Sequence, residues 1–201
     1  LIIKNKKVEN ENFTQIESYI TLESRLRKQS YITEETYPNW LLYRNDFFDS
    51  VARKLKLNTF DVFRDRQITK KDTKPQGKFR VLKSRNIGNN EIINIPNYDC
   101  FVDDPSTYTV SKFINRTNCI LVPNLTYKPR AVLLPPNTIV DGSVAILTPK
   151  SKNQKISVHS LEYFASEEFR KFYMIARNLG TRSLNIDSNS VFYFGILKED
   201  E

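Results

Sequence analysis

Glycine is the first shortage. Only 5 glycines occur in 201 residues. None stands in a Gly-x-Gly-x-x-Gly or Walker pattern, which argues against a fold that cradles phosphate on a glycine-rich loop. No Gly-x-Ser-x-Gly elbow occurs either. Two cysteines and one histidine are too few for a four-ligand zinc site. A cysteine–histidine nucleophile pair would have to use His159, which reads as a structural or surface histidine. Cys100 and Cys119 lack a partner motif and read as buried free thiols. Asp103-Asp104, before Pro105, reads as a polar turn rather than a metal site. No apolar run approaches ~20 residues, so no membrane-spanning segment is expected, and no signal peptide is visible. A cytoplasmic chain with reduced thiols is the expectation. The first residue is Leu1, which reads as a piece cut from a longer protein.

What is present is a globular composition with a local excess of positive charge. Hydrophobic residues are 39% and charged residues 27%. Lys and Arg number 31 against 23 Asp and Glu, a net charge of +8. Residues 64–85 alone hold nine cations, Arg64, Arg66, Lys70, Lys71, Lys74, Lys78, Arg80, Lys83 and Arg85, against Asp65 and Asp72. Such concentration is the electrostatic footprint of a phosphate-backbone contact, so nucleic acid is the first partner to consider.

Periodicity divides the chain near residue 58. Residues 12–29 have apolar Phe13, Ile16, Ile20 and Leu26 at helical spacing, with Asn12 and Gln15 placed as a capping pair. Thr36 and Pro38 read as the start of a second helix carrying the stripe Tyr43, Phe47, Val51 and Leu55. From Thr59 the pattern changes to short strands: Thr59–Phe63, Lys78–Lys83, Glu91–Ile95, Asn118–Val122, Arg130–Leu134 and Ser143–Leu147. Ser157 or Ser160 opens a helical turn, and Ser166 caps a longer helix with Glu167 and Glu168 at its positive end. Leu179-Gly180 closes that helix, and Val191–Leu197 reads as a last strand. The expected class is α+β, with a helical connector over 1–58 and a strand-rich unit with C-terminal helices over 59–201.

Several stretches also carry a resemblance. They are Arg64-Asp-Arg-Gln-Ile-Thr69, the strand Lys78–Ile87, Cys119-Ile-Leu-Val-Pro-Asn-Leu-Thr-Tyr-Lys-Pro-Arg130 and Leu134-Pro-Pro-Asn-Thr-Ile-Val-Asp-Gly-Ser143. The helix Leu161–Asn178, Gly180 and Leu184–Ile186 complete the order. Over roughly 60–197 the chain resembles the TaqI-like C-terminal target recognition domain of adenine-specific DNA methyltransferases in type II restriction–modification systems. It is more distantly similar to type I specificity subunits. The resemblance implies duplex DNA as partner, read in the major groove, and a target adenine flipped toward a separate catalytic domain. That domain would hold S-adenosylmethionine. The Asn/Asp-Pro-Pro-Tyr/Phe catalytic motif is absent, since Pro135-Pro136 follows Leu134, and no cofactor-binding glycine motif is present, so no cofactor is expected in this chain. A type I specificity fragment, an RNA-binding module and a protein-interaction module are the competing readings.

The candidate DNA contacts fall into two groups and one outlier. Arg64, Arg66, Gln67, Lys78, Arg80, Lys83 and Arg85 form the first, with Lys70, Lys71 and Lys74 on the polar loop Thr69–Gly77. Asn124, Tyr127, Lys128 and Arg130 form the second, on a loop between apolar strands. Arg182, after Gly180, is the outlier. Arginine and lysine suit guanine edges, and asparagine and glutamine suit adenine, while phosphate contacts only position.

Overall fold

The computed structural model describes residues 12–18, 22–180 and 184–200. Its first element is not the expected helix. β1 (Phe13–Ser18) pairs antiparallel with β2 (Glu23–Lys28), Phe13 opposite Lys28 and Ile16 opposite Arg25. Leu22 sits at φ 55°, a left-handed conformation that no α-helix contains. The helical stripe also has no core to meet: Phe13 and Leu26 remain 53% and 61% exposed. Ile20 lies outside the described residues. A one-turn helix, α1 (Gln29–Ile32), follows.

The second helix exists but begins later than the sequence predicts. α2 (Asp46–Lys54) is capped by Asn45, whose side chain accepts from the Phe48 N–H at 2.9 Å. Thr36 instead donates to Glu34 at 2.6 Å. Arg44 ties the irregular segment between them. Its guanidinium binds Glu34, donates to Asp49 at 2.7 Å and to the Tyr31 carbonyl at 3.0 Å, and packs on the Tyr31 and Tyr37 rings.

From here the fold is built on strands, in the order β3 (Leu55–Lys56), β4 (Phe60–Phe63), β5 (Phe79–Leu82), β6 (Cys100–Val102), β7 (Ile120–Pro123), β8 (Leu125–Thr126), β9 (Val132–Leu133), β10 (Thr138–Val140) and β11 (Val144–Pro149). α3 (Val158–Tyr163), α4 (Glu167–Ala176), β12 (Leu184–Asn185) and β13 (Ile196–Leu197) complete it. This is the α+β, strand-rich architecture read from the sequence. Glu91–Ile95 is not a strand and contributes only a bridge between Ile87 and Ile92. Val191–Leu197 is a 3-10 turn over Ser190–Tyr193 followed by the short β13.

The central sheet has the order β4-β11-β7-β9, all antiparallel. Its inner strands β11 and β7 are buried on both faces, and the two-residue strand period sorts their side chains between two cores. Ala145 and Leu147 of β11, with Ile120 and Val122 of β7, face a cluster built from α2, α3, α4 and the C-terminal segment. Val144, Ile146 and Leu121 face a second cluster under the sheet β10-β5-β6. There β10 runs parallel to β5, and β6 antiparallel. Apolar side chains from both sides of residue 58 share the first cluster, including Leu41, Phe48, Val51 and Phe60. Its centre is aromatic: Phe48 stacks on Phe172 with centroids 4.6 Å apart, and Phe169, Tyr173 and Phe194 pack within 6 Å of one another.

Ser157 and Ser166 cap α3 and α4 as the sequence predicts. The end of α4 differs. Asn178 and Leu179, both at φ 52°, take the left-handed positions, and the Leu179 N–H bonds the Met174 carbonyl at 2.9 Å. Gly180 is not left-handed. The Asn178 side chain is recruited to hold the segment before α2, bonding Leu42 N and the Trp40 carbonyl at 2.8 Å each. Among the described residues no helix is long and apolar enough to cross a membrane.

The aromatic centre is the stability determinant of the helical layer. Phe48→Ala is expected to cost about 3–5 kcal/mol in denaturant unfolding. A loss under 1 kcal/mol would show that the Phe48–Phe172 stack contributes little.

Candidate nucleic-acid interface

Strand geometry and hydrogen bonding split the predicted cations into two kinds. The first kind is consumed by the fold. Arg80 lies on β5 between Thr138 and Phe101. Its guanidinium reaches back to Asp99 at 2.7 Å, Asn94 at 2.6 Å and the Ile93 carbonyl at 3.1 Å. Burial pushes the Asp99 carboxyl up, but bonds from Ile95 N–H, Asn86 and Arg80 outweigh it and hold it below the ordinary range. Arg130 donates to the carbonyls of Ile87 and Ser84 and to the Thr126 hydroxyl. Burial alone lowers its pKa. Arg64, itself exposed, donates one bond to the Ile186 carbonyl at 2.8 Å, and Lys74 pairs with Asp103 at the surface, both side chains about half exposed. An arginine with its donors spent on backbone carbonyls holds loops together; it has few left for a base edge.

The second kind is exposed. The side chains of Arg66, Lys70 and Lys71 make no hydrogen bond or ion pair among the described residues. Lys70 and Lys71 form a 3-10 turn, closed by Asp72 accepting from Thr69 N–H and hydroxyl at 2.7 Å each. Lys78 is exposed beside Asp103 and Asp104. Arg85 is exposed and stacks on the Tyr98 ring at 4.9 Å. Lys128 is 3.9 Å from Glu167, with both side chains largely in solvent, a separation that contributes little. Tyr127 is 71% exposed.

The two sequence groups are brought together by Arg130. It joins the Thr126–Lys128 loop to the Ser84–Asn86 turn, so Lys128 and Arg85 are carried on adjoining loops. β5 ends at Leu82, which frees Lys83 from the strand alternation. Its ammonium donates to the Tyr98 carbonyl at 2.6 Å and lies 3.9 Å from the Tyr98 ring centroid. Lys83 and Tyr98 in turn line a cleft of about 580 Å³ with Lys70, Asn97 and Asp141. Lys128, Arg85, Tyr98, Lys83 and Lys70 therefore follow one another along a basic, aromatic-centred path.

Gly142 fixes one edge of this path. A Cβ there would lie 2.8 Å from the Asp65 carbonyl and 2.8 Å from Arg66 Cγ, so only glycine allows the 64–66 segment to cross so closely. Ser143 then accepts from Ser84 N–H at 2.9 Å. Asn124 is drawn inward here. It is buried, its amide nitrogen 3.4 Å from the Gly142 carbonyl, and does not present an amide to a groove. Gln67 is likewise occupied, its side-chain oxygen accepting from Thr109 N–H at 2.7 Å. Arg182 lies outside the described residues.

Tyr98, Asn97 and Asp99 were missed in the sequence reading. Asn97-Tyr98 carries no motif, and the signal was its place before β6, opposite the basic strand. The cleft does not suit S-adenosylmethionine. Its carboxylates are engaged, Asp99 as above and Asp141 by Ser143, no glycine lines it, and its lysines oppose a sulfonium cation. Among the described residues no group of three or more His, Cys, Asp or Glu converges. In comparison with known proteins, the chain matches no family model and no curated protein.

Proposed function

We propose that this chain recognises duplex DNA, as the target recognition module of an S-adenosylmethionine-dependent adenine methyltransferase of a restriction–modification system. The observation that carries the DNA reading is the separation of cations. Arg80 and Arg130 are spent on the fold, whereas Lys70, Lys71, Lys74, Arg66, Arg85 and Lys128 stay exposed, Lys70 and Lys74 on the lining of the Tyr98 cleft. Exposed lysines on a polar loop suit phosphate, and an arginine held on an aromatic ring suits a base edge or a narrowed groove. The methyltransferase part rests on the resemblance of the 60–197 stretch. In this reading catalysis and cofactor binding belong to a partner domain, and Lys70 and Lys71 act as positioning contacts.

Two outcomes follow. Lys70→Ala/Lys71→Ala is expected to weaken all duplexes alike and to flatten the salt dependence of binding by about two units, measured by fluorescence anisotropy across a salt series. Arg85→Ala is expected to relax preference at one base pair, at a cost of about 1–3 kcal/mol. An RNA preference, or affinity unchanged in all these variants, would contradict the reading.

Arg80→Ala is expected to act on stability instead, lowering it by about 2 kcal/mol. Because the folded-state pKa of Asp99 is depressed, its contribution is present above the ordinary carboxylate value and lost as pH falls through the lowered one. Wild type should therefore lose more stability than Arg80→Ala between about pH 5 and about pH 2, followed by urea midpoints. Equal acid profiles would show that the pair is not coupled to folding.

A further inference from the structure

A second cleft, of about 350 Å³, lies between the N-terminal hairpin, α2 and α4. None of the DNA-facing residues lines it. Strand alternation sends Arg25 and Arg27 of β2 to one face, and pairing places Ile16 beside Arg25. α4 contributes Met174 and Ile175 one turn on from Arg170 and Lys171. Leu42, Phe47 and Leu179 complete an apolar floor. The volume is within the range of small-molecule sites, ~300–1,000 Å³.

The rim has one sign. Five cations line the cleft against the single carboxylate Glu23. Three of the five are answered: Arg25 by Glu23 at 2.7 Å, Arg170 by Glu167 at 2.8 Å, and Arg44 by Glu34 and Asp49. Arg27 and Lys171 have no ion pair among the described residues, and the buried Arg27 Nε has no hydrogen-bond partner. A buried guanidinium nitrogen without an acceptor is costly, and an anion supplied from outside satisfies it.

We propose that this cleft binds an amphipathic monoanion, a medium-chain carboxylate, with its chain on the Phe47–Met174–Ile175 floor and its carboxylate between Arg27 and Lys171. The apolar floor disfavours a fully hydrated anion such as free phosphate, and the basic rim favours an anionic amphiphile over a neutral one and excludes a cationic one.

Calorimetric titration of the full chain with decanoate, decanol and decyltrimethylammonium tests this. Decanoate should bind at one site per chain, decanol about a hundredfold more weakly, the difference of two charge-assisted contacts, and the cation not at all. The exposed Lys171→Glu and the partly exposed Arg27→Gln should each weaken decanoate about tenfold and leave decanol unchanged. Fluorescence of the single tryptophan, Trp40, two residues from Leu42, gives a second readout that should saturate at the same concentration. Equal binding of decanoate and decanol would overturn the proposal. So would decanoate affinity unchanged in both variants, or no saturable decanoate binding while an acidic amphipathic peptide binds.

Discussion

The structure depends on one constraint: β11 and its neighbour β7 are buried on both faces. A strand in that position cannot alternate polar with apolar, and Val144-Ala-Ile-Leu147 and Cys119-Ile-Leu-Val122 do not. A one-residue slip in their pairing would exchange Ile146 and Leu147 between two differently shaped cores. The register Val144 opposite Pro123, Leu147 opposite Ile120, thereby sets where everything else docks. The helical layer, with Phe48, Phe172 and Tyr173, covers one face. The β10-β5-β6 sheet, carrying the basic path, covers the other.

This division explains why arginines close to the sheet became structural. Loops that meet over a doubly covered sheet leave carbonyl groups away from water, and each needs a donor. Arg130 supplies donors to Ile87 and Ser84, and Arg64 to Ile186. A guanidinium has five N–H groups in a fixed fork and suits this work better than an ammonium. The lysines at 70 and 71, raised on a 3-10 turn, meet no such demand and stay in solvent.

Much of the fold was legible where one principle acted alone. The apolar runs of β7 and β11 and the serine caps of α3 and α4 needed only local pattern. The N-terminal hairpin was not legible, because Phe13, Ile16 and Leu26 satisfy helical spacing and the strand pairing that decides against it is non-local. The short β6, β8 and β10 have too few residues to show a period. At the proposed site, charge density singled out the 64–85 segment. It could not separate Arg80 from Lys71, because that difference lies in Asp99 and Asn94, 14 to 19 positions away in sequence. Tyr98 was invisible for the same reason: its importance comes from Lys83 and Arg85 folding over its ring.

The central claim is that the face along Lys70, Lys83, Tyr98, Arg85 and Lys128 meets duplex DNA. Lysine-reactive labelling of the chain, with and without a saturating duplex, tests it most directly. Modification of Lys70, Lys71 and Lys128 should fall on DNA binding, while the exposed Lys54, Lys152 and Lys171 on other surfaces keep their reactivity. Protection spread evenly over all lysines, or confined to Lys54, Lys152 and Lys171, would contradict it.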